Sequence, residues 1–195
     1  MITLRAARWP QDAVTLSLLD TSFTTDHIYR PVRTELAFRL EAVSVSPPLR
    51  KQYPFHPTES VERAEWDYAA VAEVDGQPAG FVAAQFVAWN RRVVLHHLYI
   101  TPCHRGKGMG KLLLAEVDTF ARSIQARCLW LETQNVNYPA IQFYRRANFT
   151  FCGFDTSLYD PGSVPQEEIA LFFSRPVVPL LEGEALSMNG ANSYV

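Results

Sequence analysis

The sequence predicts a single mixed α/β domain whose central sheet is mostly antiparallel and flanked by helices. Three observations lead to this prediction. Asp75-Gly76 joins two apolar stretches, as the turn of a tight β-hairpin does. A third apolar run, 91–100, follows and leads through a glycine-rich turn into an amphipathic stretch at 112–124. Strand and helix signals then alternate, which is typical of a mixed α/β layout.

Composition limits the class of protein further. A chain of 195 residues, 48% of them hydrophobic, can build one sizeable core. A net charge of −2 gives no electrostatic footprint for nucleic acid. No apolar run approaches the roughly 18 residues of a membrane span, and the first ten residues lack the apolar core of a signal peptide. We therefore expect a cytoplasmic enzyme that contacts neither nucleic acid nor membrane.

The cysteines and histidines give no sign of a metal site. Cys103, Cys128 and Cys152 are far apart and lack metal-ligand spacing. An odd, sparse count of cysteines fits a reducing compartment better than a disulfide framework. The pairs His96-His97 and Cys103-His104 lack ligand spacing as well. We therefore predict that no metal is bound.

The first third of the chain gives alternating strand and helix signals. Ile2–Ala7 predicts a strand, and the residues after Pro10 predict the start of a helix over Ala13–Leu19. After a loop, the alternation in Leu36–Val45 predicts a second strand, which we expect Ser46-Pro47-Pro48 to end. The stretch from there to about Ser60 is predicted to be a mobile or substrate-facing loop.

The rest of the chain gives six further strand signals and two helix signals. The helices are predicted from the glycine-rich turn to about Ile124 and from about Asn137 to Arg146. The strands are predicted at Tyr68–Val74, Pro78–Ala88, Arg91–Ile100, Cys128–Thr133, Phe149–Phe154 and Ile169–Phe173. We expect one domain over 1–175 and a C-terminal tail over 176–195 that is disordered or an extended arm.

The most informative stretch is the glycine-rich turn, Arg105-Gly106-Lys107-Gly108-Met109-Gly110-Lys111. Its three glycines allow tight backbone geometry in which several N–H groups point at one spot. The first turn of the following helix adds spare N–H donors and a partial positive charge, and three basic side chains add formal charges. The turn is therefore suited to a phosphate or diphosphate group.

Spacing excludes the two commonest phosphate-binding motifs. A P-loop that ended at Gly110-Lys111 would need a glycine at Arg105 and a hydroxyl at Leu112. A dinucleotide-binding fingerprint that began at Gly106 would need a glycine at Lys111. The remaining pattern, Arg-x-x-Gly-x-Gly, closely resembles the acetyl-coenzyme A loop of the GNAT superfamily of N-acetyltransferases.

A second pattern, Asn137-x-x-Ala140-x-x-x-Tyr144, also resembles GNAT enzymes, and these three positions share one face of a helix. The element order matches the GNAT fold from roughly Thr3 to Phe173. The resemblance implies acetyl-coenzyme A as co-substrate, with the strand before the turn pairing along its pantetheine arm. The residues implied to bind it are Leu98, Tyr99, Ile100, Arg105, Gly106, Lys107, Gly108, Met109, Gly110, Lys111, Asn137 and Tyr144.

The same resemblance assigns catalytic roles. Tyr144 matches the tyrosine that protonates the leaving thiolate, and a phenol of ordinary pKa near 10 is an acid at neutral pH. The ordinary alternative is a packed tyrosine with a satisfied hydroxyl. The general base is open. His96 stands where many relatives carry a glutamate, and Glu132 and Glu73 are rivals. Cys103 has no His–acid pair and is not expected to act as a nucleophile.

Other segments resemble one subgroup, the streptothricin acetyltransferases. They are Phe38–Ser46, Arg50-Lys51-Gln52-Tyr53, Trp89-Asn90, Leu131-Glu132-Thr133-Gln134, Phe151-x-Gly153-x-Asp155 with Tyr159, and Glu168-Ile169-Ala170. The subgroup acetylates an amine on a β-lysine group of an antibiotic. A cationic amine favours carboxylates along its path, and Glu132, Asp155 and Glu168 are available. We expect Trp89, Glu132, Asp155 and Tyr159 on the substrate side.

The resulting prediction is an N-acetyltransferase that moves an acetyl group to a primary amine of a small molecule by direct attack. The resemblance points to an aminoglycoside-like or streptothricin-type antibiotic as the acceptor. Two alternatives remain open at this point, a protein or peptide N-acetyltransferase and a non-catalytic acyl-coenzyme A sensor. Many relatives form dimers, so a homodimer is a further expectation, although no apolar stripe in the sequence indicates one.

Overall fold

The computed structural model describes residues 1–57, 66–165 and 167–178, and it confirms a mixed α/β architecture. Short 3₁₀ turns at Ala88–Asn90 and Pro102–His104 lie on either side of the strand Arg92–Ile100. The helices and strands follow in the order β1 Ile2–Ala6, α1 Ala13–Ser17, β2 Phe23–Arg33, β3 Phe38–Lys51, β4 Tyr68–Val74, β5 Gln77–Val87, β6 Arg92–Ile100, α2 Met109–Ser123, β7 Cys128–Gln134, α3 Tyr138–Arg146, β8 Thr150–Asp155 and β9 Ala170–Pro176.

Seven of these strands form the central sheet, in the order β1-β4-β5-β6-β7-β9-β8. The predicted meander is confirmed, since β4, β5 and β6 pair antiparallel with one another. Asp75 and Gly76 both have positive φ, 52° and 76°, as a two-residue type I′ hairpin turn requires. Among the described strands, β6 and β7 are the pair of neighbours that run parallel.

The parallel pair separates halfway along its length. Pairing between β6 and β7 runs from Arg92↔Cys128 to Leu95↔Leu131 and then stops. Strand β6 nevertheless continues to Ile100 and β7 to Gln134, each paired only with its outer neighbour. The two strand ends therefore diverge, and backbone groups along the inner edge of β6 are left for another partner.

Helices cover the sheet on both faces because successive strand residues alternate between two apolar clusters. In β5, Val82 and Ala84 belong to the larger cluster, which also contains the buried face of α2, while Phe81 and Ala83 belong to the smaller one. The smaller cluster includes Leu16 of α1. The buried side chains of α2 are Met109, Leu113, Leu114, Val117 and Ala121, at helical spacing.

One expectation about the first third of the chain is wrong. The segment before residue 36 contains strand β2, and β3 runs through the prolines to Lys51 instead of ending at Ser46. The two strands form a separate antiparallel ribbon. Its register moves from His27↔Ser44 to Thr25↔Leu49, so residues 45–48 form an unpaired bulge. A proline needs no hydrogen-bond partner in a bulge, which is why Pro47 and Pro48 do not end the strand.

Buried Asn135, directly after β7, attaches this ribbon to the sheet. Its Nδ2 donates to Tyr29 O in β2 at 2.8 Å and to Glu167 O at 3.2 Å. Its Oδ1 accepts from Ile169 N at 2.8 Å, and its backbone O accepts from Tyr29 N at 3.0 Å. The ribbon is therefore fixed against the end of β7, beside the point where β6 and β7 diverge.

The predictions for the tail and part of the loop lie outside the described residues. These are 179–195 of the tail and 58–60 of the loop that was expected to reach Ser60. Within the described ranges, no helix is long and apolar enough to cross a membrane.

Candidate active site

A cavity of about 470 Å³ lies where β6 and β7 diverge. It receives residues from the ends of both strands, the glycine-rich turn, α3 and the ribbon. Many of the predicted site residues meet there. The lining consists of Thr21, Phe23, Tyr53, His96, Leu98, Tyr99, Ile100, Arg105, Gly106, Glu132, Thr133, Gln134, Asn137, Pro139, Ala140, Phe143, Tyr144, Arg146 and Tyr159.

The glycine-rich turn presents backbone donors at one end of this cavity. Gly106 and Gly108 have φ values of 75° and 87°, in the left-handed region that favours glycine. Gly108 is the N-cap of α2, and its O accepts from Lys111 N at 2.9 Å and Leu112 N at 3.2 Å. The N–H groups of 106–110 precede these first helical bonds and carry the positive end of the helix dipole. This geometry fits the diphosphate of a coenzyme A molecule.

The basic side chains of the turn mostly hold the turn in place. Arg105 donates to Ile100 O at 2.8 Å and to Ser22 O at 2.6 Å, so it links the turn to the end of β6 and the start of the ribbon. Lys107 Nζ donates to Cys103 O at 2.9 Å. Lys111 is exposed on the first turn of α2.

Two further residues of the turn have packing roles. Met109 is 1% exposed and belongs to the larger apolar cluster. Gly110 is buried where α2 meets α3, and a Cβ there would lie 3.1 Å from both Ile100 Cδ1 and Phe143 Cε2. The turn thus combines exposed backbone donors next to the cavity with a tightly packed base, and Arg105 and Gly106 are its residues in the lining. Lys107, Gly108, Met109, Gly110 and Lys111 themselves lie outside the cavity lining.

Asn137 and Tyr144 both lie on the cavity wall formed by α3. Asn137 is the N-cap of this helix, and its Oδ1 accepts from Ala140 N at 3.3 Å. Tyr144 is 8% exposed, and its hydroxyl makes no hydrogen bond to any described residue. Burial, followed by the neighbouring Tyr99 and Glu132, raises the pKa of Tyr144. The phenol is therefore protonated at neutral pH and available as a proton donor.

Glu132 projects into the same cavity from the diverging end of β7. The hydroxyl of Tyr159 donates a hydrogen bond to Glu132 Oε1. Burial raises the pKa of the Glu132 carboxyl, and the Tyr159 hydrogen bond opposes that rise. A carboxylate whose pKa is raised towards neutrality is a stronger base than an ordinary glutamate. Glu132 and Tyr144 thus bring a carboxyl of raised pKa and a protonated phenol to one cavity.

The structure separates the rival bases. His96 lies exposed at the cavity, with its Nε2 3.3 Å from Gln85 Oε1. His97 points to the opposite face, where its ring packs against Phe55 and Trp66 at centroid distances of 5.2 and 5.4 Å. Glu73 lies on β4, outside the cavity lining, and pairs with Arg5 at 2.7 Å.

Two residues predicted for the substrate side are not brought to the cavity. Trp89 is 86% exposed in the 3₁₀ turn after β5. Asp155 ends β8, where it accepts hydrogen bonds from the N–H and hydroxyl of Ser157 at 2.7 and 2.8 Å. Neither belongs to the cavity lining. Of the predicted substrate residues, Glu132 and Tyr159 do line it.

The ribbon contributes cavity residues that the site prediction omitted. Tyr53, just after β3, lines the cavity, and its carbonyl accepts from Thr21 Oγ1 at 2.6 Å. Its ring stacks on Phe23 with centroids 5.8 Å apart. Lys51 forms a buried ion pair with Glu168. The available signal was the likeness of the segment around Lys51 and Tyr53 to one acetyltransferase subgroup.

No three His, Cys, Asp or Glu side chains of the described residues come together in a way that could hold a metal ion.

Comparisons with known proteins agree with this geometry. Residues 36–149 match the acetyltransferase (GNAT) family. The chain is 40% identical over 178 residues to a streptothricin acetyltransferase of Streptomyces lavendulae. The aligned region covers 88% of this chain and 93% of that protein. The crystal structure of nourseothricin acetyltransferase superimposes with a TM-score of 0.82 at 42% identity, covering 91% of this chain and 99% of the other.

A more distant structure shares the fold. It is a protein from Bacillus anthracis assigned as a streptothricin acetyltransferase and solved in complex with acetyl coenzyme A. Its TM-score is 0.75 at 22% identity, and the match covers 90% of this chain and 99% of that one.

Proposed function

The chain belongs to the GNAT family of acetyltransferases, and from this premise we propose that it acetylates a primary amine of a streptothricin-type antibiotic with acetyl-coenzyme A as donor. The observation that carries this proposal is the divergence of β6 and β7, which opens one cavity containing both Tyr144 and Glu132. The relatives named for streptothricin and nourseothricin match along most of the chain, which supports an antibiotic acceptor.

The residues at the cavity fit the donor. Bound acetyl-coenzyme A supplies the thioester whose carbonyl carbon the acceptor amine attacks. The N–H groups of 106–110 bind the diphosphate, and the unpaired edge of β6 at Leu98, Tyr99 and Ile100 binds the amides of the pantetheine arm. A backbone N–H of the same edge stabilises the negative charge that develops on the thioester oxygen.

Proton transfer requires two groups, and the cavity contains both. Glu132 removes a proton from the acceptor ammonium, directly or through a water, and leaves the neutral amine as the nucleophile. Tyr144 donates its phenolic proton to the departing sulfur, and its phenolate regains a proton from the attacking nitrogen, which becomes the neutral amide. Positioning the two reactants in one cavity supplies much of the remaining rate. No covalent enzyme intermediate is needed, because the amine attacks the thioester directly.

A thiol-release assay tests this function. Purified protein, acetyl-coenzyme A and streptothricin should release coenzyme A with saturation in both substrates, and mass spectrometry should find one added acetyl group on the antibiotic. Lysine-rich peptides serve as the comparison acceptor. Turnover on peptides alone would favour a peptide acetyltransferase. Binding of coenzyme A with no turnover on either acceptor would favour a non-catalytic binder.

The homodimer and the cytoplasmic location stay predictions. A homodimer would give about 44 kDa, twice the 22.1 kDa chain mass, in light scattering behind a sizing column. A cytoplasmic location would place the fusion of this chain to a fluorescent protein in the cytoplasm of the host cell.

A further inference from the structure

Two buried polar atoms at the cavity lack a hydrogen-bond partner among the described residues. They are the hydroxyl of Tyr53 and Oε1 of Gln134. Buried polar atoms are rarely left unpaired, because they lose hydration without compensation. Burial raises the pKa of the Tyr53 phenol, and Asn137 lies close enough to oppose that rise. The Oδ1 of Asn137, however, accepts a hydrogen bond from Ala140 N. The contact between Asn137 and the Tyr53 hydroxyl does not meet hydrogen-bond geometry.

Gln134 lies on the same strand as Glu132, the carboxylate that we propose as the base. Glu132 and Gln134 are two residues apart on β7, so their side chains project from the same face of the strand, and both line the cavity. Tyr159 donates to Oε1 of Glu132. The other carboxylate oxygen of Glu132, Oε2, accepts no hydrogen bond from a described residue. This face of β7 therefore presents a carboxylate oxygen and an amide oxygen to the same cavity.

Contacts on several sides hold Tyr53 at the same cavity. Thr21 binds its carbonyl, Phe23 stacks on its ring, and Lys51 Nζ lies 5.5 Å from the ring centroid. The Lys51–Glu168 ion pair fixes the lysine in turn. The charges of Glu168 and Glu132 both act on the Tyr53 phenol, after burial itself, to raise its pKa. Tyr53 is therefore a neutral phenol held near the carboxylates.

We propose that Tyr53 and Gln134, together with the second carboxylate oxygen of Glu132, form an ammonium-binding subsite for the acceptor. A primary ammonium has three N–H donors and no acceptor, and the phenol, amide and carboxylate oxygens supply three acceptors. The subsite rests on the proposed function, since it holds the amine that is acetylated. It favours an unhindered primary amine, because each N-methyl group removes one donor and leaves one of the oxygens unpaired.

Two variants test the subsite while preserving shape. Tyr53→Phe removes the hydroxyl, and Gln134→Leu removes the amide oxygen. With streptothricin as acceptor, each should raise the acceptor KM by about 10- to 100-fold, the scale of a lost hydrogen bond to a charged group. The KM for acetyl-coenzyme A should stay within about twofold. Tyr68→Phe is the matched control, because the Tyr68 phenol donates to Glu116 at 2.8 Å and lies outside the cavity lining.

A binding measurement distinguishes failure of the subsite from failure of the function. Calorimetry with pentylamine on the coenzyme A-bound protein should show binding that both variants weaken, and N,N-dimethylpentylamine should bind more weakly than pentylamine. If streptothricin is acetylated but neither variant changes its KM or pentylamine binding, the subsite is wrong and the function stands. If streptothricin is not acetylated but both variants weaken pentylamine binding, the antibiotic assignment is wrong and the subsite stands.

A third variant, Gln134→Glu, is expected to retain pentylamine binding, so its result does not depend on a loss that misfolding could also cause. Gln134→Glu retains an oxygen acceptor at this position and adds a negative charge beside the ammonium. It should therefore bind pentylamine at least as tightly as the unaltered protein. Weaker binding by Gln134→Glu in a variant with an unchanged unfolding temperature would overturn the subsite.

Discussion

The two sides of the cavity are built in different ways. The donor side comes from two stretches, 92–123 and 137–146, which contain β6, the glycine-rich turn, α2 and α3, whereas β7 with Glu132 lies between them in the chain. It offers mainly backbone groups. The acceptor side combines Tyr53, Glu132, Tyr159 and the Lys51–Glu168 pair, which are separated by up to 117 positions in the chain. It offers mainly side chains.

Under the proposed function, this difference follows from what each side would bind. A diphosphate and a chain of amides present the same groups in every reaction, so main-chain donors and a helix N-terminus are sufficient. An acceptor is distinguished by the number and position of its amines, and side-chain oxygens can distinguish these. The donor side should therefore be most sensitive to backbone changes, and the acceptor side to loss of single polar atoms.

The largest effect should come from the one donor-side residue that acts through its side chain. Tyr144→Phe should lower kcat at least tenfold, since a positioned general acid contributes about 10²- to 10⁴-fold, and it should leave the affinity for acetyl-coenzyme A nearly unchanged. Steady-state kinetics with both substrates measure this, with Tyr68→Phe as a phenol control outside the cavity lining. An unaltered kcat would remove the acid role of Tyr144.

The next effect concerns the attachment of the acceptor side to the sheet. Asn135→Ala removes three side-chain hydrogen bonds and leaves their partners, including Tyr29 O and Ile169 N, unsatisfied. The free energy of unfolding should fall by about 2–4 kcal/mol. Urea titration followed by circular dichroism measures this.

The matched variant for this experiment is Asn90→Ala, whose side chain accepts one hydrogen bond, from Arg92 N at 3.2 Å. It should cost about 1 kcal/mol or less. Equal losses in the two variants would mean that Asn135 has no special role in joining the ribbon to the sheet.

A smaller effect separates backbone strain from donor binding. Gly108 and Gly76 both have positive φ and open space where a Cβ would lie. Alanine at either position should cost about 1–2 kcal/mol of stability. Only Gly108→Ala should also raise the KM for acetyl-coenzyme A, by about tenfold for a distorted phosphate turn. Thermal unfolding and donor-saturation kinetics of both variants provide the comparison, and a normal donor KM in Gly108→Ala would contradict the backbone assignment.

The smallest effect is a shift in pH dependence on the acceptor side. The Tyr159 hydrogen bond lowers the pKa of Glu132 against the rise caused by burial, so Tyr159→Phe should raise that pKa further. The acidic limb of the kcat/KM profile should then move to higher pH, because Glu132 becomes protonated at a higher pH than in the unaltered protein.

His96→Ala identifies the base in the same experiment. If Glu132 is the base, His96→Ala should leave the acidic limb in place while Glu132→Gln removes it. If His96 is the base, the outcomes are reversed. Unchanged profiles in both variants would eliminate both candidates.

Local patterns were sufficient for the donor side but not for the ribbon. The Asp75-Gly76 hairpin, the turn that begins at Arg105 and the helix capped by Asn137 depend on neighbouring residues, and the structure places them as predicted. The sequence prediction did not include β2, because Asp26 and Pro31 within it are residues that strands disfavour. The prolines at 47 and 48 are a strong local signal for an end of the strand, and the bulge that accommodates them depends on the pairing with β2.

The amino-acid sequence was sufficient to predict the mixed α/β class, the glycine-rich turn before α2 and the family, because these depend on residues that are adjacent or one helical turn apart. Which side chains share the cavity became clear only from the folded chain. The fold excluded Trp89 and Asp155 from the lining, brought in Tyr53 and Gln134, and placed Tyr159 on Glu132. The physical reason is that hydrogen bonds and burial depend on distances in space, and a strand or ribbon acquires its neighbours only when distant segments pack together.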